Sequence, residues 1–210
     1  MKMSPALALC AVLGLAACGG GSEDAATNEA PATDEAPAAV APKSETPVAE
    51  ATAFDLSKIP VSTAELGAFP YVGVPQGYEV RDDSTMDLAA FPIWTGAGFQ
   101  IVEGKVYMAR SGTPDEKTYS RLEFERGLQK AVEAAGGVRV ASSEPTSEAI
   151  DEIPEAIRQD MRLGMGPMYG NPFTSYVIRR ADRTIWLQVV SDSHNSAWAV
   201  VEAPAQTTPQ

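Results

Sequence analysis

The position of the first aromatic residue is the sequence feature that most constrains how this chain can fold. Every Phe, Tyr and Trp of the 210 residues lies at or after Phe54. A stable core needs large apolar side chains, so residues 54–203 are predicted to form a single domain. Residues 204–210 are predicted to be a flexible tail.

Residues 18–53 have the composition of a disordered linker. The segment is rich in Ala, Pro, Thr and Ser, and residues 19–53 carry seven acidic residues against one basic residue, Lys43. Such a segment cannot bury enough apolar surface to offset the entropy lost on ordering. We therefore expect a disordered linker that reaches on the order of 30 Å as a coil.

Residues 1–17 have the features of a secretory signal. Lys2 precedes an apolar run of about 12 residues, whereas a membrane-spanning helix needs about 20. Residues 15–19, Leu-Ala-Ala-Cys-Gly, resemble the bacterial lipobox. The resemblance implies cleavage before Cys18 and attachment of lipid, with acyl chains such as palmitate, to its sulfur. The alternative is an ordinary signal with a chance cysteine.

Cysteine content and charge then exclude several kinds of site and partner. Once Cys10 leaves with the signal and Cys18 carries lipid, no thiol remains for a disulfide, a nucleophile or a metal site. The formal charge of −12 becomes −13 without Lys2, from 15 basic and 28 acidic residues. A chain this acidic repels nucleic acid and anionic lipid headgroups. We expect no nucleic-acid partner, and attachment to the membrane through the lipid alone.

Apolar alternation and turn residues predict a series of strands. Residues 54–80 are rich in Pro and Gly and are predicted to be irregular. Glu103-Gly104 is predicted to be a tight turn or a bulge between the first two strands. The predicted strands span residues 99–101, 106–110, 138–140, 174–180, 184–191 and 196–202, with hairpin turns at 181–183 and 192–195.

Helical periodicity marks two further segments. Residues 115–135 are predicted to be a helix that ends at Gly136-Gly137. Its predicted buried face holds Phe124, Leu128, Ala131, Val132 and Ala135, and a second helical face holds Ile150, Ile153, Ile157 and Met161. The order of elements predicts an α+β domain, a mostly antiparallel sheet with two helices packed on one face.

Several segments between residues 55 and 202 together resemble a known family. They are Asp55–Thr63, Phe69-Pro70-Tyr71, Pro75–Tyr78, Val102–Tyr107, Gly136–Val138, Ile185–Val189 and Ala199–Glu202. In this order they are similar to the N-terminal module of OmpA-family envelope lipoproteins. In that family a peptidoglycan-binding OmpA domain follows, whereas this sequence ends at Gln210, so we expect no wall binding of that kind. The resemblance implies no catalytic motif.

One run of residues has the composition of a hydrolase triad. Asp192, Ser193 and His194 are consecutive, whereas known triads assemble side chains from separate segments. Asp, Ser and Asn also favour turns because they bind their own backbone. We interpret residues 192–195 as a hairpin turn, and no catalytic residue is expected.

Metal and carboxylate sites also lack a specific pattern. His194 is the only histidine, too few for a common zinc site. Asp82-Asp83 and Asp151-Glu152 supply oxygen ligands but do not have the spacing of a calcium loop. A pair of carboxylates for glycoside hydrolysis is possible, but no spacing singles one out. No metal and no cofactor is expected.

Two groups of apolar residues have both a structural and a binding interpretation. Residues 164–170 are predicted to be a loop or lid that lacks the lysine of a phosphate-binding loop. Met161, Met165 and Met168 could form an adaptable contact surface there. Six aromatic residues are predicted to lie in the core, with a binding patch as the alternative: Phe91, Trp94, Phe99, Tyr107, Trp186 and Trp198.

The sequence favours a lipid-anchored, non-catalytic envelope protein that binds an envelope protein or a glycan, including a peptidoglycan-associated partner. The alternative is a hydrolase with an unrecognised carboxylate site, and a weaker one is a structural spacer. Gly19 is not the aspartate that marks inner-membrane retention in enteric lipoproteins. By that analogy we expect the protein in the outer membrane, facing the periplasm.

Overall fold

The computed structural model describes residues 54–205, which form an α+β domain. The predicted signal, the lipid site at Cys18 and the linker lie outside the described residues. Six strands build one antiparallel sheet, in the spatial order β1-β2-β6-β5-β4-β3. No helix between residues 54 and 205 is long and apolar enough to cross a membrane.

The strands and helices have the following bounds. The strands are β1 Glu79–Trp94, β2 Phe99–Gly112, β3 Val138–Ser143, β4 Phe173–Arg179, β5 Arg183–Ser191 and β6 Ser196–Pro204. The helices are α1 Arg121–Ala134, α2 Ser147–Asp151, α3 Glu155–Asp160 and α4 Arg162–Met165. Residues 54–78 are irregular as predicted, apart from a 3-10 turn at Leu56–Lys58 and a bridge at Val61.

The first hairpin differs most from the prediction. Residues 99–112 are one strand, the tight turn expected at Glu103-Gly104 is absent, and β1 was not predicted at all. The hairpin turns instead at residues 95–98, where Thr95 N–H donates to the Gly98 carbonyl oxygen (3.0 Å). A bulge between Met86 and Ala89 does face Gly104, but its extra residue lies on β1. A bulge reverses which face each later side chain occupies, and this hides the alternation of a strand.

The first predicted helix is real but shorter. It starts at Arg121 rather than Asp115, because the Ser120 side chain accepts the Glu123 N–H (3.3 Å) and caps it. Phe124, Leu128 and Val132 are fully buried, whereas Ala131 is exposed, against the prediction.

The second predicted helix is three short helices. Pro154 separates α2 from α3, because proline cannot donate the hydrogen bond that would continue the first helix. Ile150, Ile153 and Met161 are buried as predicted, and Ile157 is half-buried.

The helices cover both faces of the sheet, so their predicted placement on one face is wrong. Phe124 and Leu128 of α1 pack in one cluster with Tyr176, Leu187 and Val200. The second cluster joins helix-face residues Ile153, Met161 and Met165 to the strand residues Val177, Trp186 and Val201. Neighbouring residues of one strand point to opposite faces, so these clusters lie on opposite sides. Strands β4 to β6 are consequently buried on both faces.

The far half of the β1–β2 hairpin leaves the sheet and crosses one of its faces. Strand β2 pairs with β6 only over Lys105–Ser111, so residues 99–104 pair with β1 alone. Gly104 marks the bend: a Cβ placed there would lie 2.1 Å from the carbonyl oxygen of Glu202. Phe91 and Ile93 then pack against the face that carries Val177 and Trp186.

Two buried polar side chains hold the hairpin in this position. Trp94 N–H donates to Gln188 Oε1 (2.7 Å), and Gln188 Nε2 donates to the Pro92 carbonyl oxygen (3.2 Å). Ser175 Oγ donates to the Trp94 carbonyl oxygen (2.5 Å). Gln188 and Ser175 are fully buried. These side chains connect the backbone of β1 to β4 and β5, two strands with which β1 forms no ladder.

Burial of tyrosine makes the domain sensitive to alkali. Burial raises the pKa of Tyr176 from 10.0 to about 12. A group whose pKa is raised on folding stabilises the protein fully below its unfolded pKa and loses that contribution as pH rises through the folded value. We expect unfolding free energy to fall between pH 10 and 12, with Tyr176 contributing on the order of 2 kcal/mol.

Tyr176→Phe should therefore lose less stability than the wild type between pH 9 and pH 11.5, as measured by urea unfolding. An equal loss in both proteins would show that Tyr176 does not contribute.

Candidate functional site

Residues 192–195 form a turn, as predicted, and do not assemble a triad. Asp192 Oδ1 accepts the backbone N–H of His194 (2.6 Å) and of Asn195 (2.8 Å). The His194 imidazole Nδ1 lies 2.8 Å from Ser193 Oγ, its neighbour in the chain. A triad needs its carboxylate to orient the imidazole. Asp192 instead accepts hydrogen bonds from two backbone N–H groups, as aspartate commonly does in turns.

The acidic pairs that could have approached a calcium ion do not form a cage. Asp151 Oδ1 binds Arg158 Nη1 (3.0 Å) and the Tyr169 hydroxyl (2.9 Å). Asp82 and Asp83 are exposed neighbours on β1. Across residues 54–205, no three His, Cys, Asp or Glu side chains converge in a way that could hold a metal ion.

The segment 164–170 begins inside a helix rather than in a loop. Met161 and Met165 are buried in the core and Met168 is half-buried, so these methionines do not form an open contact surface. The first two residues of the segment, Gly164 and Met165, complete α4. The prediction of a loop or lid over the whole segment is therefore wrong for its first part.

The aromatic side chains proposed as a binding patch are mostly core residues. Phe91, Trp94, Trp186 and Trp198 are at most 3% exposed. Phe99 and Tyr107 are half-buried and pack on Phe173 and Trp198 respectively. The core interpretation is confirmed for the four buried rings.

A surface cleft of about 450 Å³ lies where the β1–β2 hairpin bends away from the sheet. We call it the bend cleft. Four parts of the fold form it: the β1 bulge, the bend of β2, the start of β5 and the end of β6. Its lining residues are Asp87, Leu88, Gly104, Lys105, Asp182, Arg183, Glu202, Ala203 and Pro204.

A network of three side chains fixes the wall of the bend cleft. The Tyr71 hydroxyl donates to Glu202 Oε2. Arg183 Nη1 donates to the same carboxylate oxygen (3.0 Å) and to the Tyr71 hydroxyl oxygen (3.2 Å). Tyr71 has a φ of +69°, a conformation that costs free energy for any side chain larger than glycine. Such strain is concentrated at functional sites, where surrounding contacts maintain it.

The charges around the bend cleft are paired. Arg183 Nη2 donates to Asp182 Oδ2 (2.7 Å), and this hydrogen bond holds the pKa of the Asp182 carboxyl below its usual value. Lys105 Nζ lies 3.3 Å from Asp87 Oδ1 and 5.2 Å from the centre of the Phe69 ring. Each charged side chain of the lining therefore contacts one of opposite sign, and three acids against two bases leave the rim with one net negative charge.

Leu88 projects from this polar rim. It lies in the bulge between Met86 and Ala89 and is 79% exposed, more than any other large apolar side chain in residues 54–205. A bulge changes the direction of a side chain relative to the regular pleat. The result is an exposed apolar side chain surrounded by charged side chains, and protein interfaces likewise combine an apolar centre with a polar rim.

Sequence reasoning did not find the bend cleft. Its residues are separated by up to 117 positions, from Asp87 to Pro204, and none belongs to a chemical motif. Tyr71 lies beside Glu202 in the structure, but no pattern in the sequence pairs these two residues.

Comparison with known proteins adds no family to this description. No protein-family model matches the chain, and neither does any curated protein.

Proposed function

We propose that this protein is a lipid-anchored component of the bacterial envelope whose non-catalytic domain binds another envelope protein at the bend cleft. The observation that carries the proposal is Leu88, held by a β-bulge in the middle of a rim of paired charges. An exposed apolar side chain on a rigid strand supplies hydrophobic contact, and paired charges supply specificity.

Sequence supports the anchor. Residues 1–17 fit a signal and Cys18 stands where a lipobox has its lipidated cysteine. Gly19 and the resemblance to the N-terminal module of OmpA-family lipoproteins favour the outer membrane, facing the periplasm. The long acidic segment after Cys18 would let the domain reach partners away from the lipid surface.

A protein partner is favoured over a glycan. Sugar rings are usually bound by stacking on exposed aromatic side chains, whereas Phe91, Trp94, Trp186 and Trp198 are buried in the core. The bend cleft offers a leucine and paired charges instead.

The shifted carboxyl groups favour binding over catalysis. A carboxylate-based hydrolase needs a carboxyl with a raised pKa as its general acid. Hydrogen bonds instead lower the pKa of Asp55 (to Ser57), Glu123 (to Lys117) and Asp182 (to Arg183).

The anchor is tested by feeding cells labelled palmitate. We expect label on the wild-type protein and on Cys10→Ala, whose cysteine leaves with the signal, and none on Cys18→Ala. Label that persists in Cys18→Ala would disprove lipidation at this residue. Recovery of the protein only with the inner membrane would disprove the proposed location.

The docking surface is tested by Leu88→Ser. Because Leu88 is 79% exposed, the variant should keep its melting temperature within about 2 °C, as surface substitutions do. It should lose the complex that chemical crosslinking captures with the wild type in intact cells. Leu122→Ser is the matched control, since Leu122 is 58% exposed on α1, and it should keep the complex. Equal loss in both variants would contradict docking at the bend cleft.

A further inference from the structure

A second cleft, of about 590 Å³, lies between the edge of the sheet and helix α4. We call it the arginine groove, and its lining residues are Asp82, Arg110, Arg162, Leu163 and Gly166. Arg110 comes from β2 and Arg162 begins α4, so two separate elements each contribute an arginine to the lining of one groove.

Close packing fixes these two elements relative to each other. A Cβ on Gly164 would lie within 3.0 Å of Met108, Ala199 and Phe91 side-chain atoms. A Cβ on Gly166 would lie 2.6 Å from the Ala197 Cβ. The glycines therefore let α4 lie directly on β2 and β6. Because helix and strand cannot shift independently, the backbone positions of Arg110 and Arg162 are set before any ligand binds, while both side chains are exposed to solvent.

The two arginines have no partner among the side chains that the structure describes. Neither guanidinium group forms a salt bridge or a hydrogen bond with another residue of 54–205, although acidic residues outnumber basic ones by 28 to 16 in the chain. Asp82 is the register partner of Arg110 across the β1–β2 ladder, yet its carboxylate forms no salt bridge with that residue. The groove carries two positive charges against one negative charge.

We propose that the arginine groove binds a small oxyanion, either a carboxylate or a phosphate group. A guanidinium offers a planar set of donors that matches both groups and keeps its charge at any physiological pH. Two such groups on a fixed scaffold would contact different oxygens of one anion. Asp82 also lines the groove, and its carboxylate would repel the anion, which limits the affinity for a purely negative ligand.

The proposal is tested by titrating the purified protein with inorganic phosphate and, separately, with succinate at low ionic strength. Binding is followed through the Nε–Hε signals of arginine in NMR spectra. We expect saturable shifts for Arg110 and Arg162, with affinity lowered about tenfold in Arg110→Gln and in Arg162→Gln, the loss expected for one charged hydrogen bond. Arg126→Gln, an exposed residue of α1, should bind like the wild type.

The variant Asp82→Asn tests whether the bound anion lies close to Asp82. Removal of the opposing charge should tighten binding of either probe, and saturation by one probe alone identifies the oxyanion that the groove prefers. Absence of saturable binding by both probes would overturn the proposal. So would equal binding by Arg110→Gln, Arg162→Gln and the wild type, or weaker binding by Asp82→Asn.

Discussion

Replacement of Gly104 by alanine is expected to be among the most damaging single substitutions in this domain. The added Cβ would lie 2.1 Å from the Glu202 carbonyl oxygen and 2.8 Å from its carbonyl carbon. Both are backbone atoms of β6, which is paired on each side and cannot move away. We expect the free energy of unfolding to fall by about 3 kcal/mol or more, at the upper end of what overpacking costs.

Urea unfolding of Gly104→Ala and Gly98→Ala provides the comparison. Gly98 lies in the turn of the same hairpin, and a Cβ there would meet no atom within 4 Å. Its substitution should change stability by no more than about 0.5 kcal/mol. If the two variants are equally stable, the hairpin does not bend against β6 as described.

Gln188→Leu is expected to have an effect of similar size for a different reason. Leucine has nearly the volume of glutamine but no polar atoms, so the Trp94 N–H and the Pro92 carbonyl would lose the partners they have at 2.7 and 3.2 Å. Each unsatisfied buried group costs about 1–3 kcal/mol. We expect a loss of about 3 kcal/mol in total and faster hydrogen exchange at the Trp94 amide.

Gln129→Leu is the control for Gln188→Leu. Gln129 lies on α1 and binds only Glu133 one turn away (2.7 Å), so its loss should cost at most about 0.5 kcal/mol. Unchanged exchange at Trp94 in Gln188→Leu would show that Gln188 does not hold the hairpin.

The helices and strands that could be predicted are those that the pattern of their own residues defines. Strands β4, β5 and β6 are rich in apolar, β-branched and aromatic residues, and turn residues separate them. Helix α1 has Phe124, Leu128 and Val132 at helical spacing, and these are the residues that it buries. In each case the local pattern is strong enough to tolerate a few exceptions, such as Ser175, Gln188 and Ala131.

The parts that could not be predicted depend on contacts between distant residues. Strand β1 contains Asp87, Pro92 and two register shifts, so its alternation is interrupted. Gly104 follows a glutamate and resembles a turn, and only its approach to Glu202 explains why glycine is present. Gln188 and Ser175 are polar residues within apolar strands, and their partners lie 96 and 81 positions away.

The burial of the sheet on both of its faces could have been predicted from the sequence. Val189-Val190 of β5 and Val200-Val201 of β6 are apolar at successive positions, which is typical of strands buried on both sides. A sheet with helices on one face would alternate apolar and polar residues. The pattern was present, but it indicates burial without saying which helix covers which face.

The candidate site was harder to predict from the sequence than the fold. Cys18 could be proposed as a lipid site because a processing signal is a local motif. Leu88 is an ordinary leucine in the sequence, and only the bulge and the bend of the hairpin expose it beside Arg183 and Lys105.

The proposal that this domain binds an envelope protein is tested most directly by a photocrosslinking residue at position 88 of the protein in intact cells. We predict one or a few discrete crosslinked protein bands at this position. The same residue at position 122, on the exposed side of α1, should give none of them. The absence of any band at position 88, or the same bands at both positions, would contradict the proposal.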